Sequence, residues 1–204
     1  MNQITRSNGL KYTLKENKDR FLYPKEYFKV FDAMKSKQQH TTKVLINTGA
    51  RINEARHIEP TDIDYERKVI ILRVTKTKAK KGEKKGKPRW IPISTQFSKY
   101  LKKWFRLHNK IQILSTPAYN IGLKKATTIA GIKNPTDFSA HNMRKTFENY
   151  LLALGVDGLK VCAHVGHDPA TAVNSYITAD LFNYEDKMAM RDIIGDLYVQ
   201  NNNR

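Results

Sequence analysis

"KVIILRVTKTKAKKGEKKGKPRWIPI", residues 68–93, decides the fold class, because the hydrophobic period changes here. Most of the chain on either side carries helical spacing. "KVIILRV" (68–74) and "RWIPI" (89–93) are instead dense in apolar and β-branched residues, as strands are. Between them Gly82, Gly86 and Pro88 are turn formers. From Lys76 to Arg89, eight of fourteen residues are basic and one is acidic. The stretch reads as a long antiparallel hairpin with a cationic tip.

Outward from the hairpin the period is that of helices. "LYPKEYFKVFDAMKSK" (22–37) has Pro24 at a first turn and Tyr27, Phe31 and Met34 on one face. "TTKVLINTG" (41–49) closes on Gly49, a common helix stop, and a short helix over 51–57 follows. "TQFSKYLKKWFRLHNK" (95–110) aligns Phe97, Leu101, Trp104 and His108, and "AYNIGLKKATTIAGI" (118–132) is a weaker helix. "SAHNMRKTFENYLLALG" (139–155) places Met143, Phe147, Tyr150, Leu151 and Leu154 at helical spacing. "YEDKMAMRDIIGDLYV" (184–199) offers Met190, Ile193, Ile194 and Leu197 as a last amphipathic helix. The expected fold is mostly α with a small antiparallel β-sheet, an α+β domain. Residues 1–20 read as a lead-in segment, 21–182 as the main domain, and 183–204 as a terminal helix and tail.

Composition narrows the partners. Lys plus Arg number 37 against 19 Asp plus Glu, a net charge of +18, which favours an anionic partner and first of all nucleic acid. No apolar run approaches the roughly 18 residues of a membrane span, and neither a signal peptide nor an acylation motif is evident. The single cysteine, Cys162, excludes an internal disulfide and fits a reducing cytoplasm.

Four short stretches carry residues suited to chemistry. In "TGARINEA" (48–55), Arg51 leaves from a fixed corner after Gly49, and Glu54 three residues on can hold its guanidinium. In "HNMR" (141–144), His141 and Arg144 project from one helix face while Met143 turns to the core. In "RVTKTK" (73–78), Lys76 and Lys78 face the same way. In "VGHDPATAVNSYI" (165–177), Tyr176 follows His167 by nine positions, and Asp168-Pro169 reads as a helix start whose free amides favour an anion. Cys162, His164 and His167 offer three zinc donors, but no fourth is evident, so no metal site is expected.

In order and spacing these stretches resemble the catalytic domain of the tyrosine recombinase (integrase) family over roughly residues 21–180. That family shows an arginine in TG-x-R-x-x-E, a hairpin lysine, an H-x-x-R pair, and GH followed nine residues later by tyrosine. The matching positions are Arg51, Lys76, His141, Arg144, His167 and Tyr176. "RWIPIS" is similar to the R-x-x-P strand after the family's hairpin. Ala50, Met143 and Val165 stand where leucine is commoner, apolar exchanges that keep the packing. The hairpin loop is longer and more basic than usual; Lys76 is the better match and Lys78 the alternative. A separate helical core-binding domain usually precedes the catalytic domain, and twenty residues cannot supply one.

The resemblance implies a reaction. Tyr176 would attack a DNA phosphodiester, form a 3′-phosphotyrosyl link and free a 5′-hydroxyl, without a cofactor or metal. Only about 0.1% of a phenol of ordinary pKa is ionised at neutral pH. Charge gathers on the non-bridging oxygens, and the 5′-oxygen leaves poorly unless protonated. Arg51 and Arg144 would clamp those oxygens. Lys76 would protonate the leaving oxygen, His141 would assist proton removal or bond the phosphate, and His167 would donate to a phosphate oxygen. Glu54 would orient Arg51. Lys78, Lys80, Lys81, Lys84, Lys85, Lys87 and Arg89 would lie along double-stranded DNA, each neutralised phosphate steepening the salt dependence by about 0.9 in log–log slope. Family members assemble as tetramers on two DNA sites, the segment beyond the tyrosine often docking on a neighbouring subunit. Two alternatives stand beside this reading: a type IB topoisomerase, with the same nucleophile and clamp, and a basic DNA-binding module without chemistry.

Overall fold

The structure, a computed structural model, describes residues 3–5, 11–13, 20–73, 88–167 and 181–199. Two short strands open the chain, β1 (Gln3–Thr5) and β2 (Lys11–Thr13), antiparallel with Ile4 opposite Tyr12. The lead-in therefore contains a strand pair that its weak periodicity does not suggest; Asn8-Gly9 between the strands is the hairpin signal.

The main body is helical. Helix α1 (Pro24–Asp32) starts on Pro24, and the Glu26 carboxylate accepts the Tyr23 N–H at 3.0 Å. Helix α2 (Ser36–Thr48) is the central element, packed against α1, α5, α6 and the last helix. Thr42, Asn47 and Thr48 are buried with its apolar residues, and each is hydrogen-bonded. Thr48 Oγ1 donates to the Val44 carbonyl at 2.7 Å, Asn47 Nδ2 to Lys43 at 3.0 Å, and Thr42 Oγ1 pairs with the Tyr119 hydroxyl at 2.8 Å. Those bonds let a helix of low hydrophobicity sit in the core, since a buried polar group is costly only when unpaired.

Gly49 ends α2 in the left-handed region, φ +57°, and turns the chain into α3 (Ile52–Ala55). A Cβ there would lie 2.4 Å from Phe147 Cδ1 and 3.1 Å from Val165 Cγ1, so glycine is required by both conformation and space.

The sheet has three antiparallel strands in the order β3 (Ile63–Asp64), β4 (Val69–Leu72), β5 (Arg89–Pro92). Its register pairs Ile70 with Ile91 and Leu72 with Arg89. Strand alternation sends Ile70, Leu72 and Ile91 into the core and leaves Trp90 65% exposed. The tip of the expected hairpin, 74–87, lies outside the described residues, and with it Lys76, Lys78, Lys80, Lys81, Lys84, Lys85 and Lys87.

Helices α4 (Thr95–Leu107) and α5 (Thr116–Ile129) follow, capped by the Ser94 and Ser115 hydroxyls. Helix α6 (Ala140–Ala153) buries Met143, Phe147, Tyr150 and Leu151, as their spacing predicts. Helix α7 (Gly158–Val165), which the sequence reading does not contain, starts on the Asp157 side chain and ends at Gly166. Helix α8 (Tyr184–Ile194) turns Met190 and Ile194 into the same core, against α1, α2 and α6. The expected terminal helix thus spends its apolar face on its own domain. Mostly helical, with a small three-stranded antiparallel sheet in the main body, the fold is the α+β arrangement expected.

Candidate functional site: a carboxylate-braced cluster of arginines

The site lies where the Gly49 corner, strand β5, the middle of α6 and the end of α7 meet. Arg51 stands at the start of α3, its side chain 48% exposed. Its backbone N–H and its Nη1 both donate to Glu54, at 2.9 and 3.0 Å. Glu54 is almost wholly buried, and it serves a second cation. Arg89 Nη1 and Nη2 bind its two oxygens at 3.1 and 2.8 Å, and Arg89 Nε donates to the His164 carbonyl at 2.9 Å. Burial alone would raise the Glu54 pKa, but the bonds and charge of Arg89, then of Arg51, outweigh it and hold the carboxyl below its ordinary range.

Two expectations change here. Glu54 does orient Arg51, yet its bidentate partner is Arg89. Arg89, expected along DNA, is committed inside the protein, because alternation on β5 puts it on the inward face with Ile91.

Arg144 is 1% exposed, on the inner face of α6. Its Nη1 donates to the Gly49 carbonyl at 3.0 Å, and its Nη2 to the Val165 carbonyl. The backbone turns that close α2 and α7 are therefore what hold this guanidinium. Its Nε lies 3.3 Å from Glu148 Oε1, an ion pair not aligned as a hydrogen bond. Burial, then the charge of Arg51, lowers its pKa to about 10, which still leaves it protonated at neutral pH.

His167 follows Gly166, and both backbone N–H groups bond the Cys162 carbonyl. Its Nδ1 lies 3.5 Å from Glu148 Oε1. Burial lowers its pKa to about 4, helped by Arg144, Lys145, Arg51 and His141. Arg51, His141 and Arg144 thus all lie within electrostatic reach of His167. The expected helix start at 168–169 and Tyr176 lie outside the described residues.

One functional-looking residue, Glu148, is not singled out by the sequence, and His164 has a role other than the zinc donor considered for it. Glu148 is buried four residues after Arg144, facing Arg144, Lys145 and His167. A charged residue inside the apolar run of α6 is the signal that could have found it. His164 is buried too. Its Nε2 lies 3.0 Å from the Thr48 carbonyl, so Nε2 carries the proton and Nδ1 accepts from the Tyr198 hydroxyl at 2.9 Å. Burial lowers its pKa to about 3. With both nitrogens engaged, His164 is not disposed as a zinc ligand. Among the described residues no group of three His, Cys, Asp or Glu is arranged to hold a metal, nor is any helix long and apolar enough to cross a membrane.

Fold and cluster together define a small α+β domain organised around anion-receptive arginines. Residues 20–181 match the profile of the phage integrase family, and the chain belongs to that family. It is 28% identical over 125 residues to a probable integrase/recombinase of Acholeplasma phage L2, covering 56% of this chain and 39% of that protein. Among solved structures it is similar to XerA recombinase (TM-score 0.61, 20% identity, 85% of this chain and 64% of that one). It is similar also to the Tn1549 transposon integrase in complex with transposon right end DNA (TM-score 0.62, 18% identity, 91% and 69%). The chain thus spans well under half of its phage relative and just under two thirds of XerA recombinase.

Proposed function

We propose that this chain is the catalytic domain, over residues 21–182, of a site-specific DNA recombinase. The observation that supports the reading is that Arg144 Nη1 bonds the Gly49 carbonyl, two residues before Arg51, and its Nη2 the Val165 carbonyl, two residues before His167, so that three separate elements meet at one guanidinium. Tyr176 attacks the phosphorus of a DNA phosphodiester. The bond to the 5′-oxygen breaks, and a 3′-phosphotyrosyl link forms. Lys76 delivers a proton to the departing 5′-oxygen, and His141 draws the phenolic proton away. Arg51 and Arg144 bind the non-bridging oxygens with His167; removing one such donor typically costs on the order of 3 kcal/mol of barrier. Fixed guanidinium groups supply the positive charge, so chelators are expected to leave the rate unchanged. The lysines from Lys78 to Lys87 track the duplex, and four subunits bridge two DNA sites.

The test is covalent trapping. Duplexes selected from a random pool for binding are resynthesised with a nick, so that the freed 5′ fragment diffuses away. Wild type is expected to leave an adduct that survives denaturant. Tyr176→Phe abolishes it, and Arg51→Ala or Arg144→Ala weakens it far more than binding. Tight binding with no adduct on any duplex would leave a DNA-binding module, and relaxation of supercoils without strand exchange would leave a topoisomerase.

A further inference from the structure

Helix α6 carries a carboxylate at Glu148 among Phe147, Tyr150 and Leu151, all fully buried. A buried carboxylate is costly unless it is paired. Three groups face it: Arg144 Nε at 3.3 Å, Lys145 Nζ at 3.6 Å and His167 Nδ1 at 3.5 Å. Its Oε1 is approached by two of them, yet it has no hydrogen-bond partner among the described residues. Arg144 is anchored through Nη1 and Nη2 to two backbone carbonyls and cannot turn. The His167 ring follows a left-handed glycine at φ +70°, and among the described residues only its amide is tied to backbone, so it is the partner able to rotate.

We propose that Glu148 is a positioning residue of this site: its carboxylate balances Arg144 and draws the Nδ1–H of His167, turning the other ring nitrogen toward the phosphate. The inference deepens the recombinase reading and rests on it for the phosphate. With Nδ1–H donated to Oε1, Nε2 can bond a phosphate oxygen only if it too carries a proton, that is, as imidazolium. Arg144, Lys145 and His141 on α6 oppose that charge, as does Arg51 before α3; Arg89 packs across Gly166. Glu148 is the carboxylate within ion-pair distance that favours it.

The experiment reads His167 directly, without DNA. The full chain is labelled at histidine, and its ring resonances are titrated by NMR, His167 being assigned by its loss in His167→Asn. The wild-type midpoint is expected below the ordinary value, and Glu148→Gln is expected to lower it further by about 1 unit or more. The His164 signals, from a ring held between Thr48 and Tyr198, report an intact fold in the same spectra. Glu148→Asp keeps the charge but withdraws it by one methylene, so its midpoint should fall between the two. An unchanged or raised midpoint in Glu148→Gln overturns the proposal. If that variant loses the His164 signals, Glu148→Asp decides, and a midpoint no lower than wild type overturns it. In the trapping assay, Glu148→Gln should bind DNA as wild type does and form adduct about tenfold more slowly, most of all at high pH. A wild type that titrates as described but forms no adduct would sink the recombinase reading and leave the Glu148–His167 pair standing.

Discussion

Replacing Gly49 by alanine tests how the site is built, because that residue has two separate reasons to be glycine. Its φ of +57° costs an L-residue about 1–2 kcal/mol. Its missing Cβ would also stand 2.4 and 2.6 Å from the Phe147 ring. That ring is fully buried and packs 4.9 Å from the His164 ring, so it cannot swing clear. Overpacking of this kind costs about 1–3 kcal/mol. The sum, about 2–5 kcal/mol, corresponds to a fall in Tm of roughly 4–20 °C for a chain of this size. Gly155 supplies the control. It has φ +82°, but a Cβ added there would meet no atom within 4 Å, so Gly155→Ala meets the backbone penalty alone. The small entropic benefit of alanine in the unfolded chain is common to both variants and cancels. Urea unfolding of the two proteins should therefore differ by about 1–3 kcal/mol, Gly49→Ala being the weaker. Because the Gly49 carbonyl also holds Arg144, adduct formation should fall with it. Equal losses of stability in the two variants would refute the claim that the corner is packed against Phe147.

Two further perturbations follow from the buried charges. Glu54 sits below its ordinary pKa when folded, so its contribution is fully present above the unfolded value and is lost as pH falls through the folded one. Glu54→Ala should cost about 3–5 kcal/mol at pH 7, since it strands Arg89, and the gap to wild type in urea unfolding should narrow below pH 4; a gap independent of pH would contradict the pairing. His164, neutral in the fold down to about pH 3, makes the unfolded chain the better proton binder below its ordinary 6.5. Its stabilisation is whole above that pH and declines as pH falls, by up to about 1.4 kcal/mol per unit. His164→Gln, which can still donate to Thr48, should flatten the stability profile between pH 6 and 4, and an unaltered slope would assign the proton uptake elsewhere.

How far the site can be read from the sequence depends on what fixes each residue. Arg51 and Arg144 are legible because a helix-ending glycine and an i, i+3 spacing are local facts. The partners that brace them are less so. Glu54 pairs most closely with Arg89, 35 positions away, and only the register of β5 against β4 brings them together. Arg89 reads as the last member of the basic run expected along DNA, whereas the structure pairs it with Glu54 inside the protein. The alternation Arg89, Trp90, Ile91 places it inward, and the charge of the run conceals that. Helix α7 escapes the sequence because eight residues give barely two turns of periodicity, although Asp157 before it and Gly166 after it are ordinary boundary residues. Glu148 escapes because the apolar face of α6 dominates its pattern. A carboxylate buried among that face becomes explicable only when Arg144, Lys145 and His167 stand around it.

The arrangement has an electrostatic logic of its own. Two buried carboxylates, Glu54 and Glu148, are each shared between cations: Arg51 and Arg89 on one, Arg144 and Lys145 on the other. Among the described residues, four positive charges face two negative ones here, an excess suited to an anion. Without the carboxylates, mutual repulsion and the cost of burying unpaired charge would push the guanidinium groups apart. With them, burial and the charge of Arg51 depress the Arg144 pKa only to about 10, and the guanidinium stays charged at neutral pH. Donors already held in place before a phosphate oxygen enters lose little reorganisation energy when it does, which is the condition under which such donors lower a barrier most. In the recombinase reading the carboxylates would matter as much as the arginines: removing either should leave the cations present in composition and misplaced in space.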